Sequence, residues 1–420
     1  MRDRNATTRR GSGYRWAVLA MCWAVFTMTS VDRSAWGPAS PAVGKSLAVP
    51  LAALGVFATG YYLGYVISNA AGGFLNDRFG PRRVLGFSGL GAGTAMILFG
   101  TSTSFAFGLA LQAIVGLFAG VDYSGGMKSI AEWFDEKERG LAVSLFLTAL
   151  SLGTIIANAV VPRLVEGGGW QNSYRLFGAI TVALSLLALV LIRPGPERAG
   201  PVRTGRPKPL EGLRHVVTNR NLLLVCAAGF GALWGDYGFV TWANNLLIHG
   251  LQIDGEHAAT IMIIFAAMSL VVKPAIGLLI RRRRINLPRF AVVTLAFFTA
   301  ALIGFGFAVT YTQAVFLAVL LGIGAYAYSP LLATLTQTFA KLDFVGTAAG
   351  TINAVWQLGS VIVPVVVGAV FAATGSFPLA FVALAVGPAL GVVAGCFIRQ
   401  PGQSTADLPA TAPKSLLQDS

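Results

Sequence analysis

The sequence predicts an all-α membrane protein of twelve transmembrane helices, arranged as two pseudo-symmetric six-helix bundles with both termini in the cytoplasm. Composition, the number of long apolar runs and the distribution of positive charge all support this prediction. Of the 420 residues, 55% are apolar and only 11% are charged, whereas soluble domains carry about 25% charged residues. Helices are the expected spanning form, because an isolated strand would leave backbone groups unpaired in lipid.

Twelve apolar runs reach the length of about 20 residues that crossing a hydrocarbon core requires. The chain also contains 50 glycines, which favour close packing between membrane helices. The runs are centred on Ala24, Tyr62, Gly91, Gly116, Ser151, Leu186, Leu233, Ala266, Phe297, Leu321, Trp356 and Gly387.

The net charge of +14 comes from basic residues that alternate with the apolar runs. Arginines precede the first run, Arg78, Arg82 and Arg83 follow the second, and Arg281–Arg284 follow the eighth. This asymmetry places both termini and these loops in the cytoplasm. Because no single basic face forms, nucleic acid is not an expected partner. The first run is too long for a signal peptide, so we expect it to remain as a helix.

Five units are expected along the chain: a cytoplasmic N-terminal segment (1–13), an N-terminal bundle (14–193), a cytoplasmic linker (194–220), a C-terminal bundle (221–399) and a cytoplasmic tail (400–420). The linker prediction rests on a composition rich in Pro, Gly and Arg. Matches between the bundles recur at nearly one offset: Asp32 precedes Asp236 by 204 residues, and Gly73 precedes Gly277 by 204. These matches indicate a duplicated six-helix unit.

The turn after the second run has the pattern G-x-x-x-D-R-x-G-x-R-R. This pattern resembles the loop signature of major facilitator superfamily transporters, and the resemblance implies their fold and solute transport. Asp77 could accept hydrogen bonds at the N-terminus of a facing helix, and Arg78 and Arg82 could reach Asp135 or Glu138. The alternative is charge that only sets the topology. The expected gating residues are Gly73, Asp77, Arg78, Gly80, Arg82 and Arg83.

Five ionisable residues, namely Asp32, Arg33, Asp122, Asp236 and Lys273, lie within apolar runs. Each costs at least ~2.5–3.5 kcal/mol in a membrane, which favours a functional role. The planar guanidinium of Arg33 suits a carboxylate, and the three acids are expected to couple protons. Structural alternatives are an internal ion pair for Asp32 or Arg33, a pair between Asp122 and Lys128, and a Lys273 side chain that snorkels to the cytoplasm.

Polar side chains at helical spacing extend this candidate site. Tyr61, Tyr65 and Asn69 share one face of the second run, and Asn353 and Gln357 share a face of the eleventh. Such stripes should face protein or water, and hydrogen bonding between helices is the alternative role. The expected substrate-binding residues are Arg33, Tyr61, Tyr65, Tyr237, Lys273, Asn353 and Gln357.

Shorter motifs narrow the resemblance to the anion:cation symporter branch of the superfamily, over about Tyr14 to Arg399. They are Asp32-Arg33, Gly64-Tyr65, the loop signature, Trp133-Phe134 with Glu138-Arg139-Gly140, and the segment from Tyr237 to Trp242. The branch implies a carrier that moves organic anions, chiefly carboxylates, with protons.

This chain departs from the branch in the fourth helix, where Gln112 and Ala119 replace the usual Arg and Glu. Asp122 could take over the proton role. The oxalate/formate antiporter branch has a cation at the position of Lys273 and a second cation in the eleventh helix. In this chain Trp356 and Gln357 stand where that second cation would be. A two-cation cage of that kind is therefore not expected.

We expect proton-coupled uptake of a small carboxylate by alternating access, in a monomer of the inner cell membrane. The expected partners are the organic anion, protons and the lipid bilayer. No cofactor, metal or catalytic site is expected, because the cysteines and histidines are scattered. Alternatives are an exporter of amphipathic or drug-like molecules, a carboxylate antiporter and a sensor that binds a solute without moving it.

Overall fold

The computed structural model describes residues 4–134, 136–195, 209–282, 285–340 and 345–399, and within them the ordered elements are all helices. Their lengths range from 10 to 33 residues. The fifteen helices are α1 (Arg4–Ser34), α2 (Trp36–Ser46), α3 (Leu51–Phe79), α4 (Pro81–Phe99), α5 (Phe105–Ala119), α6 (Asp122–Trp133), α7 (Glu136–Gly168), α8 (Trp170–Leu191), α9 (Pro209–Thr218), α10 (Arg220–Gly250), α11 (Gly255–Arg282), α12 (Leu287–Gly306), α13 (Tyr311–Phe339), α14 (Val345–Thr374) and α15 (Phe377–Cys396).

Nine stretches within the described residues are long and apolar enough to cross a membrane. They correspond to the α5–α6 pair, α7, α8 and α10 to α15, with mean hydropathy between 1.4 and 2.3. The multi-pass character predicted from composition is therefore confirmed. The other three predicted runs lie in α1, α3 and α4, which have 31, 29 and 19 residues. Their crossing of the membrane, and hence the total of twelve, stays a prediction.

Polar residues at the helix starts explain several of the boundaries. The Asn219 side chain accepts hydrogen bonds from the first backbone N–H groups of α10, and Thr310 does so for α13. These N-caps pair donors that have no partner inside the helix. Gly80 separates α3 from α4 with a φ of +78°, which glycine adopts without the steric cost that other residues meet.

Glycines allow helices within each half to approach closely. A Cβ on Gly116 of α5 would lie 1.9 Å from the carbonyl oxygen of Tyr61 on α3. In the second half, a Cβ on Gly231 of α10 would lie 2.0 Å from the carbonyl oxygen of Gly387 on α15. Backbone contacts this close are typical of helix packing in membranes, where small residues stand at the interfaces.

The segments 4–195 and 209–399 meet along α3 with α14, α7 with α11, and α2 with α10. The Asn245 amide donates to the Ser40 hydroxyl at 2.5 Å, and the Asn244 amide donates to the Asn158 side-chain oxygen at 3.2 Å. Arg163 of α7 lies 3.8 Å from Glu256 at the start of α11. We call this end of the helices, which α2 covers, the α2 end.

Within its described residues, the expected linker forms the helix α9, which packs against α10 and α14. Val216 of α9 is only 1% exposed. This part of the linker therefore contributes to the core of the second half, because α9 is amphipathic and buries its apolar face. Residues 196–208 of the linker and the tail 400–420 lie outside the described residues.

Candidate functional site

Arg33 joins the two halves in the interior of the protein. It lies one residue before the end of α1, and its guanidinium donates to the hydroxyl of Tyr237 on α10 at 3.0 Å. The same guanidinium stands 4.9 Å from the centre of the Tyr237 ring. Residues 204 positions apart are thereby brought together, and the phenol stabilises the cation through both its oxygen and its ring.

Three tyrosines of α3 form a wall beside Arg33. Tyr62 packs edge-on against Tyr237 with ring centres 5.5 Å apart, and Tyr61 contacts both Tyr62 and Tyr65. All three side chains of the wall are at most 6% exposed. Aromatic rings exclude water around the guanidinium, and this strengthens its interaction with any anion.

A cavity of about 10 Å³ lies between the wall and α1, which is about the space that one water molecule needs. Two buried polar atoms at the cavity, the Arg33 Nε and the Tyr61 hydroxyl, have no hydrogen-bond partner within the described residues. The cavity is therefore small, but two hydrogen-bond donors at its wall are unused. The lining residues are Arg33, Trp36, Ala58, Tyr61, Tyr62, Gln112 and Thr241.

A second cluster lies in the C-terminal half around Asp236. The hydroxyl of Tyr328 on α13 donates to Asp236 Oδ2 at 3.5 Å. Lys273 of α11 places its ammonium 4.9 Å from the ring centre of Tyr326. The Lys273 side chain therefore turns towards the protein interior rather than towards the C-terminal end of α11. Asp236 precedes Tyr237 in the chain, so the two clusters are adjacent.

The carboxylate of Asp236 interacts electrostatically with both Lys273 and Arg33. In the part of the chain that the structure describes, no ion pair within 4.0 Å joins Asp236 to either cation. The three charges therefore share one region without closing into direct contact.

The other two buried acids, Asp32 and Asp122, accept hydrogen bonds from hydroxyl groups of the N-terminal half. Asp122 at the start of α6 accepts from Thr29 at 2.5 Å and from Ser88. Asp32 accepts from Thr181 at 3.4 Å, while its Oδ2 has no partner among the described residues. These neutral donors can serve a carboxylate or a carboxylic acid, so both groups can change protonation without loss of an ion pair.

The side-chain hydrogen bonds recorded for Trp356 and Gln357 of α14 are made within that helix or to α10. The Gln357 side chain is 7% exposed and accepts from Ser360 at 3.3 Å, one turn along its own helix. Trp356 donates to the backbone of Val225 on α10 at 3.0 Å. No contact that the structure records within its described ranges brings Asn353 or Gln357 to Arg33.

The expected gating turn is described only in part, since the surroundings of Gly73, the Asp77 side chain and all of Asp135 lie outside what the structure describes. Arg82 donates to the backbone carbonyl of Leu189 on α8. Arg78 lies 5.4 Å from the ring centre of its neighbour Phe79, and Arg83 is exposed. Glu138 forms an ion pair with Arg15 of α1 at 2.6 Å.

Comparison with known proteins identifies the family. The model of the Major Facilitator Superfamily matches residues 22–364, which is most of the chain. The chain belongs to this superfamily. The recognition made from the loop signature is therefore confirmed. As a superfamily member the protein is a transporter and not an enzyme. The groups that gather around Arg33 therefore need only bind a solute and release it unchanged.

Relatives of this superfamily member carry names of acid transporters. It is 24% identical over 410 residues to a probable sulfoacetate transporter of Cupriavidus necator, covering 92% of this chain and 94% of the relative. It is 23% identical over 414 residues to a probable galactarate/D-glucarate transporter of Bacillus subtilis, covering 86% and 87%. These names agree with the anion-transporting branch expected from the motifs.

A solved structure shares the superfamily fold. A bacterial homologue of the human lysosomal transporter Spinster, in an inward-facing and unoccupied conformation, aligns with a TM-score of 0.74 at 16% identity. The alignment covers 92% of this chain and 95% of that chain. At this identity the likeness concerns the fold.

Several residues of the superfamily member's site were not found from the sequence. Tyr62 faces Tyr237, yet a four-residue spacing selects Tyr61 and Tyr65 and passes over it. Tyr326 and Tyr328 surround the Lys273 and Asp236 cluster although they appear in the sequence only as aromatic residues of the tenth apolar run. Their one sequence signal is that a tyrosine hydroxyl within an apolar run needs a partner.

Proposed function

We propose that the protein is a proton-coupled secondary transporter that takes up a small organic anion by alternating access, with Arg33 as the main anion-binding residue. The Arg33 site carries this proposal. A permanent cation inside a membrane protein is costly, and its recorded hydrogen-bond partner is the neutral phenol of Tyr237. The free Arg33 Nε and the nearby Tyr61 hydroxyl supply donors that an incoming carboxylate or sulfonate can use.

Alternating access is supported by where the halves touch. Within the described ranges, the hydrogen bonds between residues 4–195 and 209–399 lie between the middle of the protein and the α2 end. The positive-inside pattern assigns the α2 end to the outside. We therefore propose twelve crossings, cytoplasmic termini and a conformation that is shut on the outside. The narrow cavity beside Arg33 means that the halves must separate before a substrate can enter.

Proton coupling is supported by the three buried acids. Asp32 and Asp122 have hydroxyl partners, and Asp236 lies among cations. A symporter needs protonation to favour the loaded state by a coupling free energy of typically ~1–3 kcal/mol. The names of the relatives support a carboxylate or sulfonate substrate, such as sulfoacetate or D-glucarate.

The test is uptake of labelled sulfoacetate or D-glucarate into liposomes that contain the purified protein, with an inward proton gradient. Arg33→Gln should abolish uptake and Arg33→Lys should retain little, since the planar fork is lost. Arg175→Gln is the matched control, because this arginine is exposed near the start of α8 and has no recorded contact with the other half within the described residues. Wild-type uptake by Arg33→Gln would contradict the proposal. Export of an amphipathic dye instead of acid uptake would favour the drug-exporter alternative, and exchange without a proton gradient would favour an antiporter.

A further inference from the structure

Asp236 interacts electrostatically with charged or titratable groups of four other helices, α1, α3, α11 and α13. Lys273 of α11 and Arg33 of α1 attract its carboxylate, and Tyr328 donates to it. The tyrosines Tyr326 and Tyr62 complete its electrostatic surroundings. Asp236 is thus the acid that the two intramembrane cations of the candidate site have in common.

Asp236 is not closed into a direct ion pair with either cation. Within the described residues it lies beyond 4.0 Å from the charged nitrogens of Lys273 and Arg33, so oxygen atoms of a substrate can bind between these groups once the halves separate. Both cations lie 4.9 Å from the centre of a tyrosine ring, and Arg33 also donates to the Tyr237 hydroxyl at 3.0 Å. Such rings stabilise a cation and can also give way to an anion.

Charge balance then relates the proton to the substrate. With Asp236 ionised, the two cations and one acid carry a net charge of +1, and a monoanion neutralises the site. With Asp236 protonated, the net charge is +2, and a dianion is required for neutrality. An uncompensated charge in a buried site is strongly unfavourable. A proton on Asp236 therefore accompanies a dianion and not a monoanion.

Given the proposed function, on which this step rests, we infer that Asp236 is a proton-linked internal counter-ion and that the substrate is a small dianion. In the empty transporter, ionised Asp236 offsets part of the charge of Arg33 and Lys273 without direct contact. When it takes up a proton, both cations become available, one for each anionic group of a dicarboxylate or a sulfonate-carboxylate. Asp32 and Asp122 are held by hydroxyl groups, so their protonation frees no cation.

The test compares two acids that differ at one end, D-glucarate with two carboxylates and D-gluconate with one. Binding to the purified full-length protein is measured by calorimetry in buffers of different ionisation enthalpy, which reports the protons taken up per ligand. In the pH range where Asp236 is ionised, we expect the protein to take up about one proton when it binds D-glucarate. In that range the affinity for D-glucarate should fall about tenfold for each unit by which the pH rises. D-gluconate should take up none. This comparison requires no variant.

Variants locate the proton. In Asp236→Asn, which resembles the protonated acid, D-glucarate should bind without proton uptake and without pH dependence. Asp254→Asn is the matched control, because this aspartate is exposed outside the membrane-spanning part of α11, and it should behave as wild type. Lys273→Gln should weaken D-glucarate at least about tenfold and D-gluconate less, because the charge-assisted bonds to one of the two carboxylates are lost.

The outcomes separate this inference from the proposed function. Equal proton uptake with both acids, or unchanged proton uptake in Asp236→Asn, would overturn the counter-ion role and leave anion transport standing. Tighter binding of D-gluconate than of D-glucarate would overturn the dianion assignment. If neither acid nor sulfoacetate binds to the wild-type protein, the proposed function itself is contradicted.

Discussion

Two neighbouring asparagines of α10 should hold the halves together at the α2 end. Asn244 and Asn245 are at most 2% exposed, and they donate to Asn158 and Ser40 across the interface. In Asn244→Ala with Asn245→Ala, both interhelical hydrogen bonds are lost. Such bonds in membrane proteins contribute about 0.6 kcal/mol on average and about 1.7 kcal/mol at most. The two together should therefore contribute about 1–2 kcal/mol to closure.

The remaining partners keep part of their hydrogen bonding, which limits the effect to this range. Ser40 also donates to the Gly37 carbonyl at 2.9 Å, and the Asn158 amide donates to the Thr154 carbonyl at 2.9 Å. Each of the two side chains therefore keeps one hydrogen bond after the double substitution. A change of 1–2 kcal/mol raises the ratio of molecules open at the α2 end to molecules closed there about 5- to 30-fold.

Single-molecule fluorescence can measure this ratio. Dyes attached at Arg163→Cys and Glu256→Cys, in a protein without its native cysteines, report opening directly, because these two side chains are exposed and 3.8 Å apart in the closed state. Asn172→Ala is the control, since Asn172 donates to Gly168 within its own segment. An open-to-closed ratio within twofold of wild type in the double variant would refute the reasoning, as would an equal change in the control.

Two further predictions concern packing and pH. Gly116→Ala should lower the free energy of unfolding by about 1–3 kcal/mol through overpacking, because the added Cβ would lie 1.9 Å from a carbonyl oxygen. At Gly277 a Cβ would meet open space. Gly277→Ala is therefore the control and should be neutral or stabilising in the same thermal unfolding assay. A fall in stability of equal size in both glycine variants would contradict this account. The backbone N–H and the ring of His257 hold the pKa of the Asp254 carboxyl below its usual range. This contact therefore stabilises the folded protein above the unfolded-state pKa of 3.8, and its contribution is lost as the pH falls through the folded-state pKa. Asp254→Asn should therefore reduce the loss of stability at acid pH, measured by thermal unfolding at a series of pH values. It should leave the pH profile of uptake between about pH 5 and 8 unchanged. An altered uptake profile would show that Asp254 takes part in proton coupling.

The apolar runs and the positions of the charges could be read from the sequence because each depends on local composition. All twelve predicted run centres lie in helices of the structure. The composition of the expected linker gave no signal for α9, which forms there and buries Val216 against the second half. Whether an amphipathic segment packs depends on a partner surface, and that surface is formed by distant parts of the chain.

For the candidate site, the sequence by itself determined which side chains are costly in a membrane and hence worth attention. Arg33, Asp236 and Lys273 were found on that ground, since the desolvation cost of a charge depends on its immediate apolar surroundings. Which groups meet was decided only by the tertiary structure. The contacts of Arg33 with Tyr237 and of Lys273 with Tyr326 join different helices, and helix packing, which no local pattern specifies, sets which faces of those helices come together.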